Sequence, residues 1–443
     1  MKPTRTQSSD GGLLPKAELV ALLLGLSFRV SPVAAAQAPV VIIDRQDGYP
    51  RLAWTNVLGQ TYHLLTSEQS VDGEWLPLVT LTSDSKTATW TDEAAARSML
   101  FYRLSATPDT NWASKLQAAL DHARSSGGAK GSSAVVITTN GIWEGTSGLS
   151  DNNASHSVRP QMRFSIGSVT KTFTTALIMQ LAEEGKLTLD DPLSRWLPDY
   201  PNITNTVTIR QLLSHTSGIY SFTDNPIYWP MVSETNKVYT PQDTLGLVEA
   251  SYFLPGQGYY YSNTDFILLG LIAEAVGRDS AANQIRSRFL RRLQLPTMYL
   301  EGSEPASGDR AHGFSINYTG TPQDITTYPL WTVEYSVAWT AGAMTGTAYD
   351  VARWIRALYS GSVLTETSLT EMTTWTSLSG STYGLGTERF SSSKGDFWGH
   401  LGDITGYLSM AGHSPTAQVT VIVLVNQDNV DVRAIWNALV STL

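Results

Sequence analysis

The chain predicts an α+β fold: an antiparallel sheet flanked by helices, with a second helical lobe, preceded by a small all-β sandwich. Three observations predict it. Residues 39–106 alternate short β-branched and aromatic runs with turn clusters, at the spacing of a small sandwich. After them, Val135-Val136-Ile137-Thr138 and Ile142-Trp143-Glu144-Gly145 flank Asn140-Gly141, a hairpin signal. The apolar run from Gln418 to Asn426 is a buried strand near the carboxyl end, with a largely helical stretch between it and the hairpin.

Each element follows in order. Lys2, Arg5 and Lys16 precede the apolar run Leu19 to Leu26, which is too short to span a bilayer. Small residues at Ala34-Ala35-Ala36 and Ala36-Gln37-Ala38 offer cleavage points, so residues 1–38 read as an export signal and the protein as periplasmic or secreted. Residues 39–106 contain the runs 40–43, 52–54, 61–65, 76–81, 87–90 and 101–104, and resemble a fibronectin-III-like module. Such a module implies a spacer, or contact with a polymer or protein. Residues 107–111 are the linker, and 112–443 the second domain. It opens with an amphipathic helix, Trp112 to Arg124, broken by Gly127-Gly128 and Gly131. The hairpin follows, then the helical middle, the terminal strand and a closing helix from Val432 to Leu443.

Composition removes several function classes. At 443 residues the length favours two units, and 42% hydrophobic residues with 13 Trp and 19 Tyr suffice for packed cores. A net charge of −9 with no Lys/Arg-rich run disfavours nucleic acid as a partner. The absence of cysteine removes disulfides, thiol nucleophiles and thiolate metal sites together. The seven histidines show no His-x-x-x-His spacing, so neither metal nor cofactor is expected.

The chemistry concentrates in Arg163-Phe164-Ser165-Ile166-Gly167-Ser168-Val169-Thr170-Lys171. Ser168 and Lys171, three apart at the head of a helical pattern, share a face. A serine hydroxyl becomes a nucleophile when a neighbour takes its proton, and an amine of lowered pKa can do so. Two other Ser-x-x-Lys copies, at 83–86 and 391–394, lie in turn-like surroundings. Only Lys171 leads into Phe173, Leu177 and Leu181 at helical spacing, stopped by Gly185. Tyr261-Ser262-Asn263, between the turn Leu254-Pro255-Gly256-Gln257-Gly258 and the apolar helix starting at Phe266, is the candidate proton shuttle. A second Tyr-x-Asn, at 200–202, reads as a surface turn. Gly399-His400-Leu401-Gly402 is the candidate substrate-lining strand, where glycine lets backbone approach closely. No Gly-x-Ser-x-Gly elbow is present, which disfavours an α/β-hydrolase.

With Thr208-Ile209-Arg210-Gln211-Leu212-Leu213-Ser214-His215-Thr216-Ser217-Gly218, Ala341-Gly342-Ala343-Met344 and His400-Leu401-Gly402-Asp403-Ile404-Thr405-Gly406, these motifs resemble a known family. It is that of serine β-lactamases, DD-peptidases and related esterases of the penicillin-recognising fold, and the likeness runs from about residue 112 to the end. The Tyr-x-Asn and His-x-Gly forms resemble class C enzymes and DD-carboxypeptidases. The resemblance implies that Ser168 is acylated, that Lys171 and Tyr261 exchange its proton, and that Asn263 holds a substrate amide or positions Lys171. It also implies that His400 and Gly402 line the substrate, and that the amides of Ser168 and Asp403 form an oxyanion hole. Whether Lys171 or Tyr261 is the primary base stays open.

His215 reads as a structural turn residue. Asp403 would repel a substrate carboxylate if it faced the cleft, with Arg389 as a compensating cation. Of the aromatic residues Tyr220, Phe222, Tyr228, Trp229, Trp331, Tyr335 and Trp339, most are expected in the core and two or three in the cleft. The expected function is a serine hydrolase acting on a small ester, amide or peptidoglycan-like substrate, as a carboxylesterase or D-Ala-D-Ala carboxypeptidase-like enzyme weak towards β-lactams. The alternative is a catalytically silent binding or sensor module of the same fold.

Overall fold

In a computed structural model the chain divides into two compact units, Met1–Thr110 and Asn111–Leu443, with the boundary inside the expected linker. The structure describes strands within residues 19–106, and then residues 110–138, 141–233, 237–316, 321–326 and 330–443. No helix among the described residues is long and apolar enough to cross a membrane.

The first unit holds two antiparallel sheets. One orders Leu19–Leu22, Phe101–Ala106, Thr61–Ser67 and Leu76–Thr82, and the other Val41–Gln46, Tyr49–Thr55 and Thr87–Thr91. Every run expected as a strand between 40 and 104 falls on one of these. Of the segment read as an export signal, only Leu19–Leu22 is described, paired with Phe101–Ala106. The rest of that segment, and the Ser-x-x-Lys copy at 83–86, lie outside the described residues.

The second unit is built on a six-stranded antiparallel sheet ordered Glu388–Ser392, Gly395–Ile404, Tyr407–Ser414, Val419–Val425, Gly131–Thr138 and Gly141–Gly148. Strands from both ends of the domain thus lie side by side, as the two flanking strand signals require. Val419–Val425 is buried at every position, which is why, Thr420 apart, it reads as an apolar run without alternation. On one face the helices Thr110–Ser126 and Val432–Thr442 close a core of Leu116, Leu120, Phe397, Val421, Val423, Trp436 and Leu439. The helix Ala348–Tyr359 lies against the same central strands, outside that core cluster.

Two features position the site. The helix Thr170–Glu183 buries every residue from Thr170 to Met179, so it is a central strut. It is pinned where Phe173 stacks on Trp354, centroids 3.9 Å apart, and Trp354 Nε1 donates to Thr172 Oγ1 at 2.8 Å. Gly185, at φ 68°, lets the chain leave it. The second feature is an open stretch of sheet edge. The Glu388–Ser392 strand reaches only to Gly399, so beyond that residue the Gly395–Ile404 strand has no strand partner on that side among the described residues. The turn Gly167–Val169 packs there instead.

Candidate active site

Ser168 sits in a single 3-10 turn, Gly167–Val169, that runs into the Thr170–Glu183 helix. Lys171 is fully buried, and its Nζ has three partners: Ser168 Oγ at 3.0 Å, Asn263 Oδ1 at 2.8 Å and the Ala341 carbonyl at 2.8 Å. Burial lowers its pKa to about 7, with Glu388 and Asp265 opposing. The partner set then has a directional consequence. A neutral amine has two N–H donors and one lone pair. The two carbonyl oxygens can only accept, so they take the N–H groups and the lone pair faces the Ser168 hydroxyl.

The Ala341 carbonyl comes from a distorted segment. Trp339 adopts φ 34° and ψ −123°, a left-handed conformation that a bulky aromatic residue rarely takes. Thr340 holds the distortion in place: its Oγ1 donates to the Phe266 carbonyl and its own carbonyl accepts from Thr174 Oγ1, each at 2.8 Å.

Tyr261 enters from the loop before the helix Asn263–Gly277. Lys171 Nζ lies 4.8 Å from its ring centroid. Its buried hydroxyl completes no hydrogen bond of good geometry. Burial pushes the phenol well above its ordinary pKa, with proximity to Ser168 acting in the lowering direction. Asn263 is held by its backbone N–H on Ser221 Oγ at 3.1 Å and its Nδ2 on Thr223 Oγ1 at 3.3 Å, which turns Oδ1 towards Lys171. Ser168, Lys171, Tyr261 and Asn263 are therefore one cluster, drawn from two segments about ninety residues apart.

Gly402 and Asp403 contribute backbone. A Cβ on Gly402 would lie 2.0 Å from the Ile166 carbonyl oxygen and 2.2 Å from Ser409 Oγ; one on Gly167, itself at φ 48°, would lie 2.6 Å from the Asp403 amide nitrogen. The strand and the turn carrying Ser168 are thus in backbone contact at Ile166 and Gly167. Gly402→Ala is expected to force them apart, lowering stability by about 1–3 kcal/mol and kcat/KM by roughly 10²-fold or more. Thermal unfolding and steady-state kinetics check this; near-native values for both would show that the contact is dispensable.

The Asp403 side chain is exposed, yet partial desolvation and Asp428 raise its pKa to about 6. Arg389 pairs with Asp396 at 3.8 Å and lies over Trp375. His400 differs from expectation. Its side chain is buried, with Nε2 on the Tyr383 hydroxyl and Nδ1 on the Leu401 carbonyl, so it belongs to the wall behind the strand. The Ser391–Lys394 copy straddles an exposed strand turn, and Asn202 is an exposed left-handed turn residue, as expected. Phe222, Tyr228, Tyr335 and Trp339 are buried, Tyr220 is half-buried, and Trp229 is exposed; the Trp331 side chain lies outside the described residues.

Sequence reasoning passed over the layer beneath Tyr261. His215 is a left-handed turn residue at φ 56°, but its buried ring also lies tilted against the Tyr261 ring, centroids 4.3 Å apart, and hydrogen-bonds Asp265 and Tyr383. The available signal was Asp265, a lone carboxylate opening the apolar run Phe266 to Ile272.

Comparison with known proteins finds relatives in sequence and in fold. The chain is 28% identical over 247 residues to Protein flp of Staphylococcus aureus (strain MW2), covering 54% of this chain and 47% of that protein. It therefore spans about half the length of the curated relatives it matches first. It is 27% identical over 306 residues to the putative penicillin-binding protein PbpX of Bacillus subtilis (strain 168), covering 67% and 71%. Among solved structures it resembles a D-stereospecific amidohydrolase from Streptomyces sp., with TM-score 0.64 and 29% identity over 73% of this chain and 96% of that one. Residues 116–442 match the family described as Beta-lactamase, and the chain belongs to it.

Proposed function

We propose that this protein is a serine hydrolase that forms an acyl-enzyme on Ser168 with a small amide or ester. The observation that carries the reading is the 3.0 Å contact between Lys171 Nζ and Ser168 Oγ, in which the other Nζ partners can only accept. Lys171, near-neutral in its pKa, is the base, and Tyr261, held protonated, is the acid. That pair of opposite shifts supports Lys171 over Tyr261 as the group that first takes the serine proton.

Ser168 Oγ gives its proton to Lys171 and bonds to the substrate carbonyl carbon, whose oxygen gains charge beside the Ser168 and Asp403 amides. Tyr261 protonates the leaving amine or alcohol as its bond to carbon breaks. The phenolate then takes a proton from water, the hydroxide attacks the ester, and the departing Ser168 oxygen recovers its proton from Lys171. All three groups return to their starting states.

The exposed Asp403 beside this seat disfavours a carboxylate next to the scissile bond, and Arg389 is engaged elsewhere. That supports uncharged or ammonium-bearing amides and esters over D-Ala-D-Ala peptides and β-lactams. The likeness to a D-stereospecific amidohydrolase supports the same choice. Purified protein offered a butyrate ester, a D-amino-acid amide, a D-Ala-D-Ala peptide and a cephalosporin is expected to turn over the first two fastest. Preferential cephalosporin hydrolysis would reverse this ranking, and no labelling by a fluorophosphonate probe would favour a silent binding module.

A further inference from the structure

Behind Tyr261 a file of hydrogen bonds crosses the buried interior from the helix Asn263–Gly277 to the strand Gly395–Ile404. Ser217 Oγ donates to Asp265 Oδ1 at 2.6 Å, and Asp265 Oδ2 lies 3.0 Å from His215 Nδ1. His215 Nε2 is 3.1 Å from the Tyr383 hydroxyl, which is 3.0 Å from His400 Nε2. His400 Nδ1 closes the file on the Leu401 carbonyl. Asp265, His215, Tyr383 and His400 are all buried.

The protons along this file can be placed from its ends. A carbonyl oxygen only accepts, so His400 carries its proton on Nδ1. Burial, together with Lys171, holds both imidazoles neutral, His400 with a pKa of about 3 and His215 also well below its ordinary value. His400 Nε2 is therefore bare and takes the single Tyr383 proton. The Tyr383 oxygen must then accept from His215 Nε2–H, which leaves His215 Nδ1 bare. An independent contact agrees: the Ser262 backbone N–H, which can only donate, lies 3.3 Å from that same Nδ1. A bare nitrogen 3.0 Å from an ionised carboxylate would set lone pair against lone pair. The proton between them has one remaining source.

We propose that Asp265 is an uncharged, protonated carboxylic acid in the resting protein, and that it is a positioning residue. Its O–H orients His215, and through Tyr383 and His400 it ties the layer under Tyr261 to the substrate-lining strand. The Tyr261 ring rests on His215 at 4.3 Å and lies 6.0 Å from Tyr383 and 6.1 Å from His400. Burial pushes the Asp265 carboxyl well above the usual carboxylate range, with Ser217 and Lys171 opposing. An ionised Asp265 would stabilise the Lys171 ammonium and weaken it as a base near neutrality. The groups around Lys171 are otherwise Ser168, Asn263, the Ala341 carbonyl, the Tyr261 and Phe266 rings, and the titratable Glu388, His215 and His400. This link to Lys171 rests on its proposed role as base; the proton placement does not.

Nitrogen-15 NMR of the full-length protein near neutral pH tests the placement without any substrate. His215 is expected as the Nε2–H tautomer and His400 as the Nδ1–H tautomer, with signals assigned through His215→Gln and His400→Gln. If either variant does not fold, Tyr383→Phe removes only the bridging hydroxyl and identifies both rings by their shifts. Infrared spectra are expected to show a protonated carboxyl band that Asp265→Asn abolishes. A carboxamide N–H can replace the acid O–H towards His215 and no charge is lost. In Asp265→Asn, therefore, the midpoint of the acid limb of kcat/KM is expected to stay in place, whatever the rate. An Nδ1–H tautomer at His215, an Nε2–H tautomer at His400, no such band, or a midpoint lowered by about half a unit or more would each overturn the proposal. A protein inert towards every substrate would instead count against the catalytic reading, and the tautomers would still be readable.

Discussion

Ser168→Ala is expected to lower kcat/KM by about 10³-fold or more for every substrate the protein hydrolyses and to abolish fluorophosphonate labelling. Removal of Oγ deletes the atom proposed to bond to the acyl carbon, and no second hydroxyl is hydrogen-bonded to Lys171 Nζ to replace it. Stability should change little. Ser168 is only half-buried, and Lys171 keeps both carbonyl acceptors in the variant. The combination matters, because an inactive protein with a normal melting temperature separates chemistry from folding. A Ser168→Ala variant that retained labelling or a tenth of the activity would place the nucleophile elsewhere. The exposed Ser391 to Lys394 turn could not take over, since its serines bond to Asp396, Gly395 and Lys394 within one hairpin.

Lys171→Met should lose activity on the same order, about 10³-fold, and should also leave a signature in stability. The side chain keeps its length and its burial but loses the amine. In the wild type, burial holds the folded-state pKa at about 7, far below the ordinary lysine value. Between those two values the unfolded chain binds a proton that the folded protein does not. Folding is therefore favoured as pH rises through this window, by up to about 1.4 kcal/mol per pH unit from this one group. Below about pH 7 both states hold the proton and the slope from Lys171 vanishes. The variant lacks this term entirely. Denaturant unfolding of both proteins from pH 6 to pH 10 should thus show the difference moving in the wild type's favour above neutrality. A parallel pair of curves would mean that Lys171 is not held neutral by burial. The acid limb of the wild-type kcat/KM profile should lie near the same pH, since protonation of the amine removes the base.

How much of this was legible beforehand differs between residues. The Ser168 and Lys171 pair was legible because the relevant geometry is local: three residues on a helix bring two side chains onto one face. The strands of both units were legible for a similar reason, since β-branched runs and turn residues act over a few positions. Asn263 was legible only as one of two roles. The structure shows its Oδ1 on Lys171, because Ser221 and Thr223 orient the amide. His400 was placed on the correct strand, but the burial of its side chain depends on Tyr383, a residue carried by a different loop. Asp265 was invisible as chemistry, because a carboxylate in the first turn of a helix usually reads as a favourable terminal charge.

By itself, the order of residues determined the α+β architecture and the helical pairing of Ser168 with Lys171, since these follow from short-range periodicity and spacing. Only the folded chain decided what surrounds Lys171, where His400 lies and which groups Asp265 bonds. Those properties are set by exclusion from water and by hydrogen-bond partners distant along the chain, and neither is encoded at any one position.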